Sequence, residues 1–273
     1  MDWRGAGRTR RAGKEDWMKY GVSYYPEHKT ADELEADLVL LKQSGINTVR
    51  MGEFAWCRME PHEGQFDFEW LAKVVEELGR AGIGTVLCTP TACPPSWLIK
   101  KHPDILYMDN RRIRRPFGGR RHYCYNNGTY RKYSVRIAEK LAGFFEGNPY
   151  ITGVQIDNEP AQEGTGRCCC PVCEEKFHDY LRREYGNIAE FNVRSGSIFW
   201  SQEYGDFDEI PLPVNTIETG AQNLIEAYYE NPTVRLAFER FCSDSQKEDQ
   251  DLQAAALRRH LHVPITTNGT GLA

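Results

Sequence analysis

The 273 residues hold no apolar run near the ~20 that a membrane-crossing helix needs, which argues against a spanning segment. The first residues lack the apolar core of an export signal, so a cytoplasmic, reducing location is expected. No glycine-rich phosphate fingerprint follows any predicted strand, which weakens a nucleotide-binding reading. Positive charge is not in excess: 34 Lys and Arg face 39 Asp and Glu, for a net charge of -5. Nucleic acid is therefore not the expected partner. Internal repeats and a flexible linker between domains are also missing.

Two basic stretches stand against the acidic whole. "RGAGRTRRAGK", Arg4–Lys14, cannot bury a core, and residues 1–18 read as a disordered extension ahead of "MKYGVSYYPE". "RRIRRPFGGRR", Arg111–Arg121, reads as a solvated loop or as an anion or subunit contact.

From Tyr20 onward short strands alternate with amphipathic helices. Thr30 with Glu33 forms a capping box before Leu34, Leu38 and Leu41, and Gly45 stops that helix. Leu71, Val74, Val75 and Leu78 line the inward face of the next one. Strands are expected in "YGVSYYPE", "NTVRMGEFAW", "GTVLCTP", "ITGVQIDNE" and "VPITTNG". Residues Thr91–Asn127 read as irregular, and a long helix is expected over about Pro232–His260. Repeated βα units predict parallel strands with right-handed crossovers. A doubly wound sheet and a (β/α)8 barrel both fit that rhythm. Polar residues at strand ends, Glu27, Arg50, Glu53, Asn158, Glu159 and Asn268, favour the barrel, where such ends meet at one mouth. The fold class expected is an incomplete (β/α)8 barrel of about five strands over residues 19–273.

The stretch "ITGVQIDNEP" begins as a strand and stops on Asp157, Asn158 and Glu159 with Pro160 behind. A carboxylate beside an amide at a barrel mouth suits acid/base work on a sugar. Glu159 could donate the proton and Asn158 hold a sugar hydroxyl; a Glu capping the next helix is the plain alternative. Retaining glycosidases need a second carboxyl about 5–5.5 Å away as nucleophile.

Nine cysteines without an export signal make disulfides improbable. "RCCCPVCEEKF" sets Cys168, Cys170 and Cys173 in a C-x-C-x-x-C pattern, and Cys124 precedes Cys168 on the loop after the third strand. Four such thiolates can enclose a structural Zn2+ and leave no position open for water. Cys169 is then a spare pointing away. Cys57, Cys88, Cys93 and Cys242 have no ligand spacing and read as packing residues.

"YGVSYYPEH", "VRMGEFAWCRMEPHEGQFDFEWLA", "TPTACPPSWL", "VQIDNEP" and "FWSQEY" together resemble the bacterial β-galactosidases of glycoside hydrolase family 42. The resemblance runs from about Lys19 to the C-terminus. It implies a (β/α)8 barrel with two further domains and hydrolysis of terminal β-D-galactosides, alone or in oligosaccharides, with retention. By the same resemblance Glu159 is the acid/base, Asn158 and Arg50 contact the sugar, and Trp200 lines the pocket. Packing for Trp200 and an ion pair to Glu53 for Arg50 are the plain readings beside it. Many members carry zinc on a cysteine four-set at these places, and relatives are often trimers. The family's nucleophile is a Glu ending the seventh strand, which this sequence does not reach. The expectation is therefore a truncated enzyme or, alternatively, a zinc-bearing, sugar-binding remnant without activity.

Overall fold

The computed structural model describes residues 18–162, 165–213 and 231–269. Apart from Met18, the basic extension lies outside the described residues. The chain forms two compact units. The first gathers the stretch up to Lys101, Lys132–Pro160 and the stretch from Gln250; the second gathers His102–Arg131 and Ala161–Asp249.

The first unit holds one parallel sheet. Its strands are β1 (Gly21–Ser23), β2 (Thr48–Met51), β3 (Gly84–Cys88), β4 (Ile151–Gln155) and β5 (Ile265–Thr266), in the spatial order β1-β2-β3-β4-β5. Neighbours in sequence are neighbours in the sheet, as successive βα units of a barrel require. The register pairs Val22 with Val49, Arg50 with Val86, Leu87 with Val154 and Val154 with Ile265. Between the outer strands, Val49, Met51, Leu87 and Val154 are fully buried. β1 and β5 form the two lateral edges of this sheet. On β1, Val22 is 42% exposed, and Met18 and Tyr20 just before it are exposed as well.

Helix α1 (Ala31–Gln43) carries the expected capping box: Glu33 N donates to Thr30 Oγ1 and Thr30 N to Glu33 Oε2. Its apolar face is the expected one, but Leu34, Leu38 and Leu41 are only half-buried. Strand β2 stops at Met51, short of the expected "NTVRMGEFAW", and the single turn of helix α2 (Trp56–Met59) begins on the last residue of that stretch. Gly52 causes the change: at φ +102 the backbone leaves the strand directly after Met51, and a Cβ there would meet Met59 Cε at 3.1 Å. Helix α3 (Glu69–Arg80) buries Leu71, Val74, Val75 and Leu78 as its 3.6-residue pattern requires. On α3 Gly79 permits close approach, because a Cβ would lie 2.1 Å from the Tyr150 ring. Helix α4 (Ser96–Lys101) interrupts the stretch that reads as irregular.

Helix α5 (Gly128–Phe144) precedes β4. In the second unit, α6 (Pro171–Tyr185), α7 (Ile188–Ser195) and most of α8 (Pro232–Arg258) surround an aromatic core. Phe177 meets Phe238 edge-on at 5.4 Å and tilts against Phe241 at 5.6 Å. No described helix is long and apolar enough to cross a membrane.

Candidate functional site

The ends of β2 and β4 carry the first group. Arg50 Nη1 donates to Gln155 Oε1 at 3.1 Å, and Nη2 donates to Ser23 Oγ at 2.8 Å and Glu53 Oε1 at 2.9 Å. The ion-pair reading of Arg50 thus holds, with the Glu53 side chain fully buried. Removing one partner of such a pair strands the other charge and costs about 3–5 kcal/mol. Glu53 Oε2 and Arg50 Nε are buried and find no hydrogen-bond partner. Both carboxylate oxygens of Glu27 share that condition, and burial pushes the Glu27 carboxyl above its ordinary range.

After β4 the backbone turns sharply. Asp157 has φ 56 and Glu159 φ 47, both left-handed, with Asn158 between them. Such positions cost roughly 1–3 kcal/mol each and persist only where surroundings over-determine them. Here they do. Asp157 N donates to Thr89 Oγ1 at 2.8 Å, and Asn158 N to Asp157 Oδ1 at 2.6 Å. Asn268, just after β5, accepts from Glu159 N at 2.7 Å and donates through Nδ2 to Asn158 Oδ1 at 2.8 Å. Gln155 joins the halves, donating to Asn268 Oδ1 at 3.2 Å and to the Asp157 carbonyl at 2.8 Å. Behind them, buried Gln253 accepts from Thr89 and Thr91 hydroxyls at 3.0 and 3.2 Å.

Arg50, Asn158 and Glu159 therefore belong to one hydrogen-bonded network. Asn158 is buried and Glu159 half-buried. Trp200 belongs to the second unit, 61% exposed, at φ 61, with its ring stacked on Phe199 at 4.9 Å. Sequence reasoning missed Gln155, Thr89 and Gln253 as site residues. Gln155 left a trace, a polar residue at a buried position of a strand.

The second group lies wholly in the second unit. The Sγ atoms of Cys124, Cys168, Cys170 and Cys173 all fall within 4.8 Å of one another, and all four residues are buried. Three separations are 3.3, 3.7 and 3.7 Å. Tetrahedral Zn–S bonds of about 2.3 Å put sulfurs about 3.8 Å apart, close to the two separations of 3.7 Å, so the donor set fits such a metal. Met108 N and Asn126 Nδ2 each point at a cluster sulfur, Cys168 and Cys173 respectively, at 3.4 Å. Hydrogen bonding with Cys124, Cys168 and Cys173 holds the Cys170 thiol far below its ordinary range. Cys169 stays outside the group, and burial raises its thiol to about 12. Among the described residues no cysteine forms a disulfide, and Cys57 is exposed.

A parallel βα sheet with polar side chains gathered at the strand ends is the arrangement of a barrel-type enzyme. The family model described as beta-galactosidase, glycoside hydrolase family 42, matches residues 23–272. The chain is 42% identical over 241 residues to β-galactosidase BgaH of Haloferax lucentense, covering 88% of this chain and 35% of that protein. It is 40% identical over 248 residues to a β-galactosidase of Thermus thermophilus, covering 91% and 37%. The crystal structure of a β-galactosidase from the psychrophilic Marinomonas ef1 superposes with a TM-score of 0.85 at 35% identity, covering 94% of this chain and 38% of that one. The chain belongs to glycoside hydrolase family 42. It spans about a third of the length of the relatives it matches.

Proposed function

We propose that this chain supplies the acid/base side of a retaining β-galactosidase site. Glu159 gives its proton to the glycosidic oxygen as the bond to the sugar breaks, then takes a proton from the water that releases the sugar. Asn158 and Arg50 hold hydroxyls of the galactose ring. The second carboxylate is assigned to no residue of this sequence. The observation that carries the reading is the over-determined turn: two left-handed residues held by Thr89, Gln155 and Asn268 keep Glu159 at the strand end. Cys124, Cys168, Cys170 and Cys173 would hold Zn2+ as a closed cross-link with no water site, a stabilising role. Thiolates of this kind suit a reducing compartment.

A chimera tests the assignment. The chain alone is expected not to hydrolyse an aryl β-galactoside. Placed in the corresponding stretch of the Thermus thermophilus enzyme it should turn the substrate over, and Glu159→Gln should lower kcat by about 10²–10⁴. Added azide should rescue that variant by attacking the glycosyl intermediate, which needs no general base. An active chimera indifferent to Glu159→Gln, or turnover by the chain alone that survives the substitution, would refute the role.

A further inference from the structure

We propose that the arginine-rich turn is a clasp on the thiol cluster, with Arg112 the positioning residue that sets its affinity for zinc. The inference rests on the four-thiolate reading above. The turn is tightly made. Met108 and Arg114 bridge across it, and Asp109 Oδ1 accepts from Arg111 N and Ile113 N, both at 2.9 Å. Arg112 closes it at φ 63, a backbone region that arginine rarely adopts.

That strained position aims one side chain at both ends of the cysteine knuckle. Arg112 Nη1 donates to the Cys169 carbonyl at 2.7 Å, between Cys168 and Cys170. The same guanidinium forks onto Glu174, next to Cys173, at 3.1 and 2.8 Å. The turn grips the knuckle through its main chain as well: Cys169 N donates to the Met108 carbonyl at 2.8 Å, and Met108 N to Cys168 Sγ at 3.4 Å.

Four thiolates around a divalent ion carry a net charge of 2−. A neighbouring guanidinium offsets that charge, and its bidentate grip fixes the backbone from which the sulfurs project. The basic stretch thus gains a role that neither a solvated loop nor a subunit contact supplies. Arg114, by contrast, turns to the Asp104 and Leu106 carbonyls.

The test uses the whole chain, stripped of metal under reducing conditions and titrated with zinc against a chromophoric chelator. Arg112→Gln should weaken zinc binding by about 10–100-fold. Arg112→Lys should recover part of the loss, since an ammonium keeps the charge but cannot fork. Glu174→Gln should weaken binding in the same direction, and the double variant should fall short of the summed losses. At saturating cobalt, Arg112→Gln should retain the thiolate-to-metal charge-transfer band of the parent, separating lost affinity from a lost site. Parent affinity in a band-retaining Arg112→Gln overturns the proposal. If Arg112→Gln does not fold, Glu174→Gln decides, and parent affinity there overturns it equally. A parent chain that binds no zinc and shows no thiolate band sinks the metal reading itself.

Discussion

Glu159 was visible in the sequence because it breaks a pattern: an alternating strand does not end in three polar residues and a proline without cause. Asn158 was visible for the same reason, and Arg50 as a polar residue at the end of another strand. The left-handed backbone at Asp157 and Glu159 was not, because neither residue is a glycine and the strain is held by partners remote in sequence. Asn268 reaches Glu159 from 109 residues away, and Gln253 reaches Thr89, the partner of Asp157 N, from 164 residues away, relations that only packing discloses. Glu27 leads to a prediction with a definite sign. Burial raises its carboxyl above the ordinary 4.5, with Glu53 opposing ionisation and His28 and Arg58 favouring it. The folded chain then keeps that proton to higher pH than the unfolded chain, so its contribution to stability is present below the ordinary carboxylate pKa and is lost as pH rises. Glu27→Gln should therefore raise the urea midpoint at pH 7.5 and give little or no gain at pH 4. Equal shifts at both pH values would show that ionisation of Glu27 is not the cause.

Among the elements, helices were easier to read than strands. The capping box of α1 and the buried face of α3 follow from local spacing, and each lies where the periodicity puts it. The strands are shorter than their apolar stretches. β1 spans 3 residues and β5 only 2. The turns α2 and α4 were missed because 4 and 6 residues are too few to show a helical period. Leu71 on α3 is fully enclosed. Leu71→Ala should destabilise the chain by about 2–5 kcal/mol in urea unfolding, through lost burial plus the cavity left behind. A loss under 1 kcal/mol would mean that this face does not carry the packing ascribed to it.

At the scale of the molecule, the barrel-type sheet was legible from repeated βα units, whereas the division into two compact units was not. The second unit draws on stretches from both sides of β4, so no change in composition marks its borders. Its core joins aromatic rings to the four cysteines of the cluster, which makes metal removal a test of the unit's cohesion. Purified chain should contain about one zinc, and Cys170→Ser should abolish it and lower the melting temperature. A zinc-free preparation that melts unchanged would remove the metal from the account. The exposed side chains along β1 have a practical consequence. Exposed Val22 on this lateral strand, with Tyr20 just before it, offers apolar surface to any extended segment nearby. Overexpressed by itself, the chain should therefore depend on dilution, low temperature or chaperones to stay monodisperse.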